Sequence, residues 1–121
     1  MSEKKKTLII GASENPARYS NMAIRSLRNS NHEVVALAKR EGQVEDVKIT
    51  TEFPSAEIDT VSLYVGPQRQ PEYYSEVINL QPRRVIFNPG TENPEFYQLL
   101  QENDIEPVEA CTLVMLSIGN Y

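Results

Sequence analysis

Gly11-Ala12-Ser13, followed by Arg18 and Ser20, bring together small residues, two hydroxyls and a guanidinium. Small residues let the backbone approach a ligand, and hydroxyl and guanidinium donors near a helix start suit a phosphate. Only Gly11 holds a glycine position of the dinucleotide fingerprint; Ser13 stands at the second and Pro16 at the third. Two readings of this loop therefore stand, a phosphate cradle and a plain tight turn. Lys39-Arg40 is the sharper discriminator. NAD binding places an acid at the end of the second strand to accept from the ribose hydroxyls. A cation pair suits instead a ribose that carries a phosphate, as in NADP or the 3′-phospho-ADP of coenzyme A.

Other chemistry is sparse. The chain has one cysteine, Cys111, and one histidine, His32, a poor zinc set with no internal disulfide. No Ser-His-Asp set can be assembled, and no paired carboxylates stand out at strand ends. His32 falls at the start of the second strand, where a capping or surface role is expected. Cys111 follows the last strand at a helix start, which would lower a thiol pKa; the competing reading is a small buried packing residue.

The elements that position these residues alternate. Thr7–Ile10 reads as a strand buried on both faces. A helix follows over about Asn21–Asn29, with Ser20 as its cap and Tyr19 stapled to Ile24. Glu33–Ala38 is the second strand, and Glu41-Gly42-Gln43 turns the chain. Val47-Lys48-Ile49 reads as a short edge strand and Pro54–Glu57 as a single helical turn. Thr60–Val65 is a strand closed by Gly66-Pro67. Gln70-Pro71-Glu72 and Asn93-Pro94-Glu95 both carry helix-start signals, proline at the first position and an acid in the first turn. Arg84–Phe87 and Pro107–Ala110 are strands. Cys111–Ile118 is apolar, and either a terminal helix under the chain's own sheet edge or a surface for a second subunit.

This alternation predicts one doubly wound α/β domain over residues 1–121, with a mainly parallel sheet of about five strands. Ligands of such sheets bind beyond the carboxyl ends of the strands. The candidate positions are therefore Gly11–Ser20, Lys39-Arg40, Gly66-Pro67, Asn88-Pro89-Gly90 and Cys111.

Composition narrows the class. The chain has 121 residues and a formal net charge of −5, which argues against broad nucleic-acid or anionic-membrane binding. No apolar run approaches the ~20 residues of a membrane helix. Met1–Lys6 leads into the first strand without an apolar signal segment. The expectation is a reduced, cytoplasmic, metal-free protein.

Gly11-Ala12-Ser13 with Asn15-Pro16 and Arg18-Tyr19-Ser20, the run Val85–Pro94, and the run Glu109–Leu116 together resemble the small stand-alone CoA-binding domain proteins. These are similar to the N-terminal CoA-binding domain of the succinyl-CoA synthetase α subunit, and the resemblance covers essentially the whole chain. It implies a Rossmann-like fold holding the nucleotide end of CoA at the first loop. Ser13 and Arg18 would contact phosphates, and Lys39 would match the basic residue near the 3′-phosphate. Tyr64-Val65-Gly66-Pro67 and Asn88-Pro89-Gly90 would line the adenine and pantetheine path. The synthetases also use a phospho-histidine domain and an ATP-grasp module, neither of which is found in this sequence, so ligase activity is not expected.

The leading expectation is a module that binds CoA or an acyl-CoA, as a carrier or sensor, without catalytic machinery of its own. One alternative is an NADP-linked oxidoreductase, for which Tyr64 is the only nameable proton donor. Another is an interaction protein with a degenerate nucleotide pocket, whose Cys111–Tyr121 tail buries a partner.

Overall fold

The computed structural model describes residues 4–121; Met1–Glu3, the start of the charged lead-in, lie outside the described residues. Thr7–Ile10 (β1) is buried along its whole length, as a four-residue run with no polar alternation requires. Leu8 and Ile10 point into one apolar cluster and Ile9 into the other. That split is the two-residue period of a strand covered on both faces.

The elements follow in the order α1 (Tyr19–Asn29), β2 (Val34–Leu37), β3 (Gly42–Val44), β4 (Val47–Thr50) and β5 (Thr60–Leu63). A 3-10 helix (Pro67–Tyr73) then runs into α2 (Tyr74–Leu80), followed by β6 (Arg84–Phe87), α3 (Pro94–Glu102), β7 (Glu106–Glu109) and α4 (Thr112–Ser117). One seven-stranded sheet has the order β3-β4-β2-β1-β5-β6-β7. All neighbours pair in parallel except β3 and β4. Ala23, Ile24 and Leu27 of α1, with Leu113 and Leu116 of α4, cover one face. Tyr73, Val77, Phe96 and Leu100 cover the other.

Without β3 the order is that of a dinucleotide-binding sheet, and it reverses between β1 and β5. Ile10 lies opposite Leu37 on one side and Leu63 on the other, and Leu63 lies opposite Phe87. The strands therefore end level, and the loops after them start at one height.

Several expectations need correction. Among the described residues there are seven strands where about five were expected, although the α/β class holds. Gly42-Gln43, expected as part of a turn, opens β3, which makes a tight hairpin with β4. The turn is Glu45-Asp46, with Glu45 at φ 53°. Val47–Ile49 is a strand but not the edge, because β3 covers it. Pro54–Glu57 forms no helix. Residues 51–59 must return from the carboxyl edge of β4 to the amino edge of β5, past β2 and β1. That path needs about 20 Å, and a four-residue turn, spanning only about 6 Å, would leave the other five residues to run almost fully extended.

Helix α1 begins at Tyr19, two residues before the predicted start. Its N-cap is Arg18, with no side-chain cap, and Ser20 is buried instead. The turn before it is built by Asn15, whose Oδ1 accepts from the Ala17 N–H and whose carbonyl accepts from the Arg18 N–H. Tyr19 is 71% exposed and staples nothing.

The Cys111–Ile118 segment is largely a helix on the chain's own sheet. Leu113, Leu116 and Tyr121 pack against its core, while Val114 and Ile118 remain exposed.

His32 is buried rather than capping or superficial. Its Nδ1 accepts from the Lys5 N–H at 2.9 Å, and its ring meets the Tyr121 ring edge-on at 5.0 Å. It sits at the amino edge of the sheet, away from the strand ends that face a ligand. Burial, helped by Lys4, Lys5 and Arg84, holds its pKa below the usual imidazole value. The folded chain thus keeps His32 neutral where the unfolded chain takes up a proton, so the stability it carries is present above about pH 6.5 and lost on acidification. The wild-type Tm is expected to fall between pH 7 and pH 5, and His32→Gln to fall less over that window. A wild-type profile flat over it would contradict this account. Asp59, whose carboxyl is held low by Thr60 and Arg83 despite burial, contributes only at more acid pH.

Candidate functional site

The reversal of strand order leaves a crevice where the chain leaves β1 and β5 in opposite directions. Gly11 sits at its root with φ +97°. The Gly11 and Ala12 N–H groups both donate to the Leu37 carbonyl, and the Tyr64 N–H donates to the Ile10 carbonyl. A Cβ on Gly11 would stand 3.0 Å from the Tyr64 carbonyl carbon. Glycine therefore meets two demands here, a left-handed backbone and a close approach of two main chains.

From Gly11 the loop wraps toward the start of α1, whose first N–H groups have no intrahelical acceptor. Ser13 Oγ accepts from the Asn15 N–H, which leaves the hydroxyl proton for another acceptor. The Ser13 carbonyl is tied down by the buried Asn21 side chain, and Asn21 in turn is held by Arg25 Nε at 2.8 Å. On the far side, Glu14 reaches across Gly42 and accepts from the Gln43 N–H. The loop is thus clamped from both ends, to α1 and to the β3 edge.

A cleft of about 770 Å³ opens over this loop, within the range of small-molecule pockets. Of the predicted residues, Gly11, Ala12, Ser13, Arg18, Ser20, Lys39, Arg40, Tyr64, Gly66, Pro89 and Gly90 all lie on its wall. Its charged residues are Arg18, Lys39, Arg40 and Arg69 against Glu14 and Glu41, a cationic surplus in a chain of net charge −5. Among the described residues, Arg18, Arg40 and Arg69 make no ion pair, whereas Lys39 Nζ meets Glu72 Oε1. Gly90, at φ +93°, leaves open space where a side chain would stand.

Three predicted residues are not on the wall. Pro67 begins the 3-10 helix behind Gly66. Asn88 is buried, and its amide bonds three groups of β5 and α4. Its Nδ2 donates to Ser62 Oγ and the Leu63 carbonyl, and its Oδ1 accepts from the Thr112 N–H, all at 2.8–2.9 Å. Cys111 is the half-buried N-cap of α4 and lies off the wall.

Tyr64 is on the wall, but burial pushes its phenol up to about 12 against hydrogen bonds with Ser62 and Thr112. A hydroxyl so reluctant to ionise suits a neutral hydrogen-bonding role better than proton transfer near neutral pH.

The wall residues missed from the sequence are chiefly Arg69, Tyr73 and Thr91. Arg69 was recoverable: Pro67, not Pro71, is at the first helical position, which puts Arg69 in the first turn after Gly66. Thr91 is joined to Val65, on the neighbouring loop, by Gln70, which is fully buried. Its Nε2 donates to the Val65 and Thr91 carbonyls, and its Oε1 accepts from Asn93 Nδ2. Asn93 also caps α3 through the Phe96 N–H and donates to the Tyr74 hydroxyl. The two loops forming the far wall are fastened through this one amide. Among the described residues, no cluster of three metal-ligating side chains occurs, and no helix is long and apolar enough to cross a membrane.

A family model described as a CoA binding domain matches residues 5–117. A crystal structure of an uncharacterised protein superposes with a TM-score of 0.96 at 46% identity, over 99% of this chain and 100% of that one. A hypothetical protein from Pyrococcus horikoshii OT3 superposes at 0.87 with 24% identity, over 95% of this chain and 83% of that one. The cell-free ID.343 protein of Thermus thermophilus does so at 0.87 with 20% identity, over 98% and 91%. These last two share the fold. No curated protein matches the chain.

Proposed function

The chain belongs to the CoA-binding domain family, and on that premise we propose that it holds CoA or an acyl-CoA in the cleft above β1 and β5. The observation that carries this reading is the gathering of four cationic side chains on the wall of this cleft in an otherwise acidic protein. CoA brings a diphosphate and a 3′-phosphate, and its pantetheine arm is long, polar and uncharged. The donor set fits it. The diphosphate lies over the first loop, with Ser13 and Arg18 donating alongside the free N–H groups of α1. Lys39 and Arg40 face the 3′-phosphate. Tyr64, Gly66, Pro89 and Gly90 border the path of the adenine and the arm, with Gly90 leaving room. The role is that of a carrier or sensor, and no residue on the wall is assigned to bond making.

Differential scanning fluorimetry with CoA, dephospho-CoA, NADP and NAD tests the reading. A ligand at a hundred times its Kd stabilises by about 2.7 kcal/mol, a shift of several degrees for a chain of this size. CoA is expected to give the largest shift, dephospho-CoA a smaller one and NAD the smallest. No shift with millimolar CoA would remove the reading. Equal shifts with CoA and dephospho-CoA would remove the role of Lys39 and Arg40, and a larger shift with NADP than CoA would favour an oxidoreductase.

A further inference from the structure

Among the four cations of the cleft, only Lys39 is already occupied. Its Nζ lies 2.5 Å from Glu72 Oε1, and the two side chains are 59% and 44% exposed. They stand on opposite lips, Lys39 just after β2 and Glu72 in the 3-10 helix. Glu72 is flanked on that helix by Arg69 and Tyr73, both wall residues, yet is not on the wall itself. Lys39 also lies 5.9 Å from the centre of the Tyr73 ring. The Glu72 hydrogen bond, joined by Tyr73, raises the Lys39 pKa, while Arg69 opposes it. The cleft therefore sets two like charges, Lys39 and Arg69, close enough to repel, and places a carboxylate against Lys39.

We propose that Glu72 is an internal counterion that competes with a ligand phosphate for Lys39 and so sets how strongly the site selects a 3′-phosphorylated ligand. The inference rests on the CoA reading above. A phosphate arriving at Lys39 carries more charge than the carboxylate and can displace it. Once it is bound, Glu72 becomes a like charge beside it. The opposition is felt only by a ligand with a phosphate at that lip; one lacking it leaves the ion pair intact. Exposed pairs are weak and screened by salt, so the competition adjusts affinity without abolishing it.

Isothermal titration of wild type, Glu72→Gln, Lys39→Gln and the double variant with CoA and dephospho-CoA tests this. Glutamine keeps the shape of the side chain at an exposed position, and a Tm measurement verifies each fold. Glu72→Gln is expected to tighten CoA about three- to fivefold and to leave dephospho-CoA within about twofold. In the Lys39→Gln background the gain should vanish. An unchanged ratio of CoA to dephospho-CoA affinity in Glu72→Gln, or weaker CoA binding, would overturn the proposal while wild-type binding stands. Wild type binding neither ligand would instead remove the CoA reading, and this proposal with it.

Discussion

Gly11→Val is expected to abolish CoA binding and to lower stability by about 3–5 kcal/mol. The cost has two independent parts. At φ +97° a β-branched residue is strained by itself. The added Cβ would also stand 3.0 Å from the Tyr64 carbonyl carbon and 3.1 Å from its oxygen. These are main-chain atoms of a segment fixed by the Tyr64 N–H bond to Ile10 and by the pairing of β1 with β5. They cannot swing aside as a side-chain tip would. Relief must come from parting the loops after β1 and β5, and that widens the crevice where the diphosphate is placed. Urea denaturation and CoA titration check both halves. Gly11→Ala should show the same effects at lower magnitude, and a valine variant with wild-type stability would refute the close approach.

Gln70→Leu is expected to cost about 3–4 kcal/mol and at least tenfold in CoA affinity, although Gln70 is not on the cleft wall. Leucine is near enough in volume that little cavity forms. What is lost is the pairing of the Val65 and Thr91 carbonyls and of one Asn93 amide hydrogen. Val65 and Thr91 are wall residues on different loops. Removing their shared partner lets each loop seek water separately. The Tm should fall by about 10–15 °C. A loss in stability below about 1 kcal/mol would mean that water replaces the amide and that the far wall is fixed by other contacts.

What could be read from the sequence was local. Arg84–Phe87 is a strand in the structure with the predicted bounds, because an apolar, β-branched run between turn residues has few alternatives. Helix α3 begins where Asn93-Pro94 signals it, and Asn93 does cap it. What could not be read depended on partners distant in sequence. Nothing in Gly42-Gln43-Val44 favours a strand; β3 forms because β4 offers an edge and Glu14 lies across Gly42. Ser20 reads as a cap by residue type alone, but Asn15-Pro16 is itself a turn signal, and the turn that Asn15 Oδ1 closes starts α1 two residues before the predicted start. Asn88 is placed as strand-end logic predicts, yet its amide spans Ser62, Leu63 and Thr112 rather than facing the cleft. Position after a strand selects candidates for a site, but tertiary hydrogen bonding decides which of them remain available to a ligand.

The most direct measurement is an amide ¹H–¹⁵N NMR titration of the wild-type protein with CoA. Saturable shift changes are predicted at Gly11–Asn15, Ala17–Ser20, Lys39-Arg40, Gly66, Arg69 and Gly90, with little change at His32 on the opposite edge of the sheet. Millimolar CoA that moves no resonance of the cleft, or that moves only resonances around His32, would contradict the placement of the ligand over β1 and β5.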